Sequence, residues 1–407
     1  MSDIVGSAHG THAPMHPHLA QRFSTTFGGE AQCIAFAPGR INLIGEHIDY
    51  CGGLVLPMTI QRGTWIAARR TSHGRVRARS DNYHGLFDAP LPCAPDSADD
   101  SPWARYLVGV LALMAAEGIA IDGGVDLFVS GDLPTGGLSS SAALCVGLAI
   151  TIEALAGRNL PGGRPALALL CQRVEHEFAG VRCGIMDQAV SALSHPHHAL
   201  ALDCRDLTHT HVPVPEHTPC WLVLDSGRPR ALADAPYNLR QQDAREAEQL
   251  LRARAGMGSL CDIEASEFDA VAETAGIHRD STLWKRARHC VGEQARVRTA
   301  IDALRAADWT RLGRAMRASH VSLRDDFEVS CSELDTLVDA ACACAGVHGA
   351  RLTGAGFGGA AIALVDADAL PAALAYIESS FASRFGRTPP SFIARAGGGA
   401  RLLQAPA

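Results

Sequence analysis

Lysine is almost absent from the sequence. Lys285 is the only one, and arginine supplies the rest of the 36 basic side chains. A Walker A phosphate loop, a Ser-Lys hydrolase and a protein-kinase fold each need a lysine inside a specific motif. Lys285 has no glycine loop around it. The sequence therefore excludes these three classes of protein.

Long apolar runs are also lacking. The longest, 106–116 and 142–152, are shorter than the ~20 residues that a membrane-spanning helix needs. The first 20 residues lack the basic start and apolar core of a secretory signal, and we predict that 1–20 is a flexible tail. The net charge of -7 gives no general attraction to nucleic acid or to anionic lipid. We expect a cytoplasmic protein that binds neither nucleic acid nor membranes.

The 13 cysteines contain no CxxC pair. Several of them lie in apolar helical patterns, which is typical of buried, reduced thiols in a cytosolic protein. Cys342 and Cys344 could bind a metal, but no second pair of Cys or His at ligand spacing accompanies them. We therefore predict no zinc site.

The length of 407 residues and the 47% hydrophobic content suffice for two domains with apolar cores. Strands mix with helices in both halves, and we expect an α+β protein. The stretch 195–211 reads as a loop, so we place the domain boundary near residue 200, with domains at 21–200 and 201–407. The patterns predict strands at 33–37, 54–59, 65–68, 125–130, 221–225 and 360–365, and helices at 103–117, around 144–155, around 165–179, at 238–255 and at 312–326.

The first stretch with chemical groups is 38–53, which reads Pro-Gly-Arg-Ile-Asn-Leu-Ile-Gly-Glu-His-Ile-Asp-Tyr-Cys-Gly-Gly. Polar loops of this kind often carry function. Glu46 and Asp49 can accept hydrogen bonds from hydroxyl groups, and Arg40 can donate to a phosphate or a developing oxyanion. The alternative interpretation is a solvated polar loop.

The second stretch, 133–143, reads Leu-Pro-Thr-Gly-Gly-Leu-Ser-Ser-Ser-Ala-Ala. It follows a predicted strand and opens a predicted helix. Its glycines let the main chain approach an anion, the helix start offers free N–H groups, and the serines are expected to cap that helix. This arrangement can bind phosphates without a lysine. The alternative is an ordinary glycine turn before a capped helix.

The third stretch, 174–188, places Glu175 on a predicted helix and Asp187 after a glycine turn. A carboxylate in either place suits a proton acceptor or a metal ligand. Asp187 could instead be a simple helix cap.

The fourth stretch, 354–359, reads Gly-Ala-Gly-Phe-Gly-Gly and satisfies the G-x-G-x-x-G pattern. A dinucleotide site needs this pattern after a strand and before a helix, whereas here it precedes a predicted strand. We therefore expect a hinge or a close approach to another glycine loop.

These stretches together resemble the GHMP kinases, and the first resembles the galactokinase signature Gly-Arg-x-Asn-Leu-Ile-Gly-Glu-His-x-Asp-Tyr. The resemblance implies a ribosomal-S5-like N-terminal domain and a ferredoxin-like C-terminal domain, with the active site between them. It also implies ATP and Mg²⁺ as cofactors and phosphorylation of the C1 hydroxyl of D-galactose, by a monomer or weak dimer.

Individual roles follow from the same resemblance. Asp187 would accept the proton of the sugar hydroxyl, or would lower the pKa of that hydroxyl jointly with Arg40. The implied residues are Arg40 and Asp187 for catalysis; Glu46, His47, Asp49, Gly184 and Tyr237 for the sugar; Trp103 and Tyr106 for adenine; Pro134, Gly136, Gly137, Leu138, Ser139, Ser140, Ser141 and Ala142 for the phosphates; and Ser141 and Glu175 for Mg²⁺.

The sequence departs from the family pattern at three positions. Cys51 replaces the asparagine that usually follows Asp-Tyr, and Gln241 and Ala244 stand where arginine and cysteine are more common. A kinase for N-acetylgalactosamine, galacturonate or arabinose is therefore an alternative. A catalytically silent ATP- and sugar-binding regulator is another, although Arg40 and Asp187 are both present.

Overall fold

The computed structural model of the protein describes residues 18–134, 136–215, 219–228, 234–256 and 258–406. Its helices are α1 (Leu19–Phe27), α2 (Ala104–Ala116), α3 (Ser140–Ala156), α4 (Gly163–Glu177), α5 (Met186–Leu193), α6 (Asp234–Ala255), α7 (Phe268–Thr274), α8 (Thr282–Arg305), α9 (Trp309–Asp325), α10 (Ser332–Cys342) and α11 (Leu370–Phe385). Its strands are β1 (Cys33–Asn42), β2 (Leu54–Val55), β3 (Pro57–Thr71), β4 (Arg75–Ser80), β5 (Leu86–Pro90), β6 (Gly124–Gly131), β7 (His198–Asp203), β8 (His209–Pro213), β9 (Cys220–Asp225), β10 (Val347–Thr353), β11 (Ala360–Val365), β12 (Ser391–Ala394) and β13 (Arg401–Gln404).

The N-terminal half is built on a sheet with the strand order β13-β1-β3-β6-β4-β5. β4 and β6 are parallel, and the other neighbours are antiparallel. Leu19 and Phe23 of α1 pack with Phe36 and Trp65, whereas α3 packs against β1 and β3. Both faces of the sheet are therefore covered, which explains why every residue of β1 is buried.

A second sheet with the order β2-β7-β8 corrects the sequence interpretation. The stretch 195–211, expected to be a loop, contains β7 and the start of β8. Ala199, Leu200 and Leu202 of β7 are fully buried, and histidines lie on either side of this apolar run. The predicted boundary at residue 200 falls inside β7, which pairs with β2 of the first half.

The C-terminal half contains an antiparallel sheet with the order β10-β11-β9-β12. α9 and α10 pack against β10. The predicted strands 221–225 and 360–365 are confirmed as β9 and β11, and the helix predicted at 312–326 is confirmed as α9. However, the predicted unit 201–407 is not self-contained, because β13 returns to the first half and pairs with β1.

The mixture of helices and sheets confirms the α+β class. Of the predicted tail, residues 1–17 lie outside the described residues, and α1 begins at Leu19, within the predicted tail. None of the helices in the described ranges combines the length and the apolar character that a membrane crossing requires. The 13 cysteines, including Cys342 and Cys344, are free thiols.

Candidate active site

A cavity of about 610 Å³ brings all four predicted stretches together. Its walls come from both halves of the chain. The predicted site residues that line it are Arg40, Glu46, His47, Asp49, Tyr106, Gly136, Gly137, Ser139, Ser140, Ser141, Glu175, Gly184, Asp187 and Tyr237, joined by Gly354 of the fourth stretch.

Arg40 and Asp187 form a two-pronged ion pair in the wall of this cavity. Nε of Arg40 lies 2.7 Å from Oδ1 of Asp187, and Nη2 lies 2.8 Å from Oδ2. Nη1 donates to the carbonyl of Gly137 at 2.5 Å. Asp187 lies in the first turn of α5 but is not its cap, because Ile185 occupies that position. The alternative interpretation of Asp187 as a helix cap was therefore wrong.

The two partners differ in exposure. The Arg40 side chain is 5% exposed and the Asp187 side chain is 27% exposed. Burial lowers the pKa of Arg40, but the nearby carboxylates of Asp187 and Glu46 outweigh it and raise that pKa above its ordinary value. Arg40 therefore stays a cation beside a carboxylate that is open to the cavity.

The loop between β6 and α3 turns through left-handed backbone conformations. φ is +112° at Gly136, +81° at Gly137 and +62° at Ser139. Ser139 is the N-terminal cap residue of α3, but its side chain forms no capping hydrogen bond. Its hydroxyl instead donates to Oδ2 of Asp187. The expectation that this serine caps the helix was wrong, because its hydroxyl forms a hydrogen bond with the Asp187 carboxylate instead.

The fourth stretch, which connects β10 to β11, packs directly against this loop. A Cβ added at Gly354 would lie 2.7 Å from the carbonyl oxygen of Gly137. A Cβ added at Gly137 would lie 3.3 Å from the amide nitrogen of Ala360 and 3.4 Å from the carbonyl oxygen of Thr353. The expected close approach of two glycine loops is confirmed, and it explains the G-x-G-x-x-G pattern without a dinucleotide.

Ser141 and Glu175 form an oxygen-rich pair beside the phosphate loop. The hydroxyl of Ser141 lies 3.1 Å from Oε1 and 3.3 Å from Oε2 of Glu175. Nε2 of Gln188 donates to Oε1 of Glu175 at 3.0 Å and fixes the carboxylate. Mg²⁺ prefers oxygen ligands and is usually bound through one or two carboxylates together with substrate phosphates. The donor set therefore fits Mg²⁺.

Glu46 and His47 are buried at the border of the cavity. Oε1 of Glu46 accepts a hydrogen bond from the amide of Gly354 at 2.6 Å. His47 has a φ of +62°, and its Nε2 lies 3.1 Å from the carbonyl oxygen of Ala355. Its ring packs 5.6 Å from that of Tyr237. Both residues therefore connect the first stretch to the fourth, in addition to lining the cavity.

Asp49 and Gly184 touch each other at the wall. A Cβ added at Gly184 would lie only 1.9 Å from Oδ2 of Asp49. The pKa of Asp49 is raised to about 7, first by burial and second by the neighbouring carboxylate of Asp187. Two carboxylates, one of them with a perturbed pKa, thus face the same space.

The raised pKa of Asp49 predicts a stability that depends on pH. Between about pH 4 and pH 7 the folded protein keeps a proton that the unfolded chain has lost, so stability falls as pH rises through this window and levels off above it. Asp49→Asn removes this effect. We expect the Tm of the variant, relative to the wild type, to rise by roughly 2–5 °C between pH 5 and pH 7.5 in calorimetry.

Asp203 provides the control for this measurement. Its pKa is lowered by the hydrogen bond from Arg205, so its titration is complete below pH 5. The Tm difference between Asp203→Asn and the wild type should stay constant from pH 5 to pH 7.5. A constant difference for Asp49→Asn as well would contradict the raised pKa.

The predicted adenine contacts separate in the structure. Tyr106 lines the cavity. Trp103 is 5% exposed, and its ring stacks on Tyr83 at 5.8 Å with an interplanar angle of 9°. Trp103 does not itself line the cavity, and neither do Pro134, Leu138 and Ala142 of the predicted phosphate loop. Leu138 acts through its backbone, since its carbonyl accepts the amide of Arg40 at 3.1 Å.

Arg351 and Glu293 support the site from behind and were not predicted from the sequence. Arg351 is fully buried, with Nη2 lying 3.8 Å from Glu46 and 3.9 Å from Glu293. Glu293 accepts the amide of Gly45 at 3.0 Å, and its pKa is lowered to about 2 because Arg296, His289 and Arg351 outweigh the effect of burial. The available signal for Arg351 was an arginine between the apolar residues Ala350 and Leu352, just before the fourth stretch.

Comparisons with known proteins identify the family. The family model for the galactokinase galactose-binding signature matches residues 21–70. The models for the N-terminal and C-terminal domains of GHMP kinases match residues 105–195 and 300–383. A galactokinase from Chloroflexus aurantiacus is 41% identical over 391 residues, which cover 95% of this chain and 97% of the relative. One from Lactococcus lactis subsp. lactis is 38% identical over 389 residues, covering 95% and 96%.

Solved structures give the same result. The crystal structure of Lactococcus lactis galactokinase complexed with galactose aligns with a TM-score of 0.88 and 37% identity, covering 94% of this chain and 98% of that one. Methanococcus jannaschii mevalonate kinase aligns with a TM-score of 0.62 at 18% identity, covering 90% and 98%. The second match shows a shared fold alone.

Proposed function

The chain belongs to the galactokinase family of the GHMP kinases, and from this premise we infer that it transfers the γ-phosphate of ATP to the C1 hydroxyl of D-galactose. The observation that carries this inference is the ion pair of Arg40 and Asp187. It lies in one cavity with a glycine- and serine-rich loop at the start of α3. Such a loop binds phosphates through backbone N–H groups and the helix dipole, so no lysine is needed.

Asp187 is the proton acceptor in this proposal. A carboxylate oxygen offers two in-plane lone pairs. Oδ2 already accepts from Nη2 of Arg40 and from Ser139, whereas Nε of Arg40 is the one donor to Oδ1 among the described residues. The C1 hydroxyl therefore approaches Oδ1, and its proton moves to that oxygen as the sugar oxygen attacks the γ-phosphorus.

Arg40 positions this base. Its three donor nitrogens are committed to the two oxygens of Asp187 and to the carbonyl of Gly137. Since Gly137 belongs to the phosphate loop, Arg40 connects the proton acceptor to the place where the phosphates bind. Its fixed positive charge also stabilises negative charge that develops during transfer.

Ser141 and Glu175 would hold Mg²⁺, which neutralises charge on the phosphates when it is bound. Glu175→Gln keeps the shape but removes the negative charge. We expect the Mg²⁺ concentration for half-maximal rate to rise by about 10-fold or more, measured as ADP release. Glu177→Gln, an exposed carboxylate on the same helix paired with Arg173 at 2.9 Å, is the control and should behave like the wild type. An equal rise in this Mg²⁺ concentration in both variants would show that Glu175 does not bind the metal.

The sugar panel tests the function directly. Glu46 and Asp49 line the cavity and accept hydrogen bonds from hydroxyls whose directions depend on ring stereochemistry. An epimer leaves an acceptor unpaired, at a cost of about 1–3 kcal/mol, so galactose should exceed glucose by about 10²-fold or more in kcat/KM. ADP release is measured with galactose, glucose, N-acetylgalactosamine, arabinose and galacturonate. No phosphorylation of any galactose-like sugar would refute the proposal and favour the silent regulator.

Galacturonate is the informative member of the panel. Its carboxylate needs a cation, and Arg228 lines the cavity with its Nη1 3.3 Å from Oε2 of Glu333. Arg230, the next arginine in the chain, lies outside the described residues. Because Arg228 is already paired with Glu333, we expect galacturonate to be a poor substrate. If the wild type preferred galacturonate and Arg228→Gln lost this preference, the substrate would be galacturonate. The assignment as a sugar kinase would still hold.

A further inference from the structure

A second cavity, of about 500 Å³, lies at the far end of α5 from Asp187. Arg164 enters it from the first turn of α4, Ser194 from the end of α5, and His211 from β8. The segment 397–401 closes it before and at the start of β13. None of these residues has a role in the proposed phosphate transfer. We call this space the Arg164 cavity.

The ionisable groups that line the Arg164 cavity are all basic. Arg164, Arg401, His195, His209 and His211 line it, and no carboxylate does so among the described residues. Neither arginine forms an ion pair with a carboxylate in the part of the chain that the structure describes. Arg401 instead lies with Nη1 3.2 Å from the carbonyl oxygen of Gly399. An uncompensated basic cavity is unusual on a chain with a net charge of -7.

Two donors in this cavity lack partners. The hydroxyl of Ser194 is buried, with the residue 6% exposed, and has no hydrogen-bond partner among the described residues. Nη1 of Arg164 is also buried and has no hydrogen-bond partner among the described residues. Buried polar groups are almost always satisfied, so such atoms indicate a water, an ion or a ligand that completes them.

The histidines of the cavity lie close to one another. The rings of His195 and His211 stack at 3.8 Å with an interplanar angle of 5°, and Nε2 of His211 lies 3.0 Å from the carbonyl oxygen of Leu193. The pKa of His211 is lowered by burial and then by His195, His209 and His198. A bound anion would oppose the repulsion among these rings.

A metal ion fits this cavity poorly. Ligands must converge on one point, whereas the His195 and His211 rings face each other in a stack. No group of three His, Cys, Asp or Glu side chains in the described residues is arranged to hold a metal.

We propose that the Arg164 cavity binds a phosphate-type oxyanion, either free inorganic phosphate or the phosphate group of a monoester, through Arg164, Arg401 and Ser194. Guanidinium groups match the geometry of phosphate oxygens, and hydrogen bonds between ionised partners are stronger than neutral ones. The Ser194 hydroxyl adds a neutral donor, and the histidines add positive charge when they are protonated.

Equilibrium dialysis with radiolabelled inorganic phosphate tests this site in the full chain. Galactose and a non-hydrolysable ATP analogue are present at saturation, so that the phosphate loop is occupied. We expect about one equivalent of phosphate per chain, and Arg164→Gln and Ser194→Ala should each weaken binding by about fivefold or more. Arg173→Gln removes an exposed charge from the same helix α4 and should bind phosphate like the wild type.

Competition identifies the source of the anion. Unlabelled phosphate and galactose 1-phosphate are each titrated against the label. Stronger displacement by phosphate supports a site for the free ion, and stronger displacement by galactose 1-phosphate supports a site for the sugar ester. Absence of bound label, or an equal loss in Arg173→Gln and Arg164→Gln, would overturn the proposal. Ser194→Ala removes only an oxygen that has no partner among the described residues, so this variant should fold like the wild type. Weaker phosphate binding in Ser194→Ala therefore tests the site even if Arg164→Gln fails to fold.

Discussion

Asp187→Asn should lower the turnover number by about 10²- to 10⁴-fold, while ATP binds within about threefold of the wild-type affinity. An amide has the size of the carboxylate but cannot take a proton at neutral pH. It also presents an NH₂ group toward one of the two Arg40 nitrogens that now lie 2.7 and 2.8 Å from the carboxylate. Proton transfer and the orientation of the base are therefore both impaired.

The measurement is single-turnover phosphorylation of galactose together with equilibrium binding of ATP. Asp88→Asn is the control, since Asp88 forms an exposed ion pair with Arg75 at 2.5 Å and does not line the cavity. That variant should retain wild-type turnover. A near-normal rate in Asp187→Asn would show that Asp187 is structural.

Gly137→Val should reduce kcat/KM for ATP by about 10³-fold and leave the affinity for galactose within about threefold. Gly137 has a φ of +81°, and its Cα faces the backbone of the fourth stretch. A side chain there must displace either that stretch or the phosphate loop. The phosphates then lose the close approach of the main chain that the loop provides.

Gly157→Val separates this effect from backbone strain. Gly157 ends α3 with a φ of +65°, and a Cβ added there would meet no atom within 4 Å. The two variants share the cost of a β-branched residue in left-handed backbone, but only Gly137→Val intrudes on the loop. Equal losses of ATP affinity in both variants, or equal losses for ATP and galactose in Gly137→Val, would argue against a phosphate role.

Strands and helices with a continuous apolar run and a clear start could be predicted from the sequence. β11 was placed at its observed bounds because the run 360–365 is short and apolar and follows glycines. β7 was missed because histidines flank an apolar run of four residues, and a periodicity argument gives little weight to so short a segment. Its partner β2 lies far away in the chain, so the pairing had no local signal.

The site also contains residues that the sequence could predict and residues that it could not. Arg40 and Asp187 could be named from motifs that are continuous in the sequence. The bond from Ser139 to Asp187 could not, because a serine before a helix ordinarily predicts a cap. Arg351 and Glu293 could not be found either, since each acts through burial and through partners more than 200 residues away, such as Glu46 and Gly45.

The contact of Gly137 with Gly354 bears on how this sequence can evolve. A side chain on Gly354 would need space that the backbone of Gly137 occupies, and a side chain on Gly137 would meet the backbone beside Gly354, at Thr353, Gly359 and Ala360. These neighbouring atoms belong to the backbone, so no substitution can remove them. A larger residue at one position therefore cannot be rescued by a smaller one at the other, because the other is already glycine. The two positions are not a compensating pair that drifts together. In a library that randomises both codons, functional clones should keep glycine at each position independently, and the double variants should recover no activity that the single variants have lost.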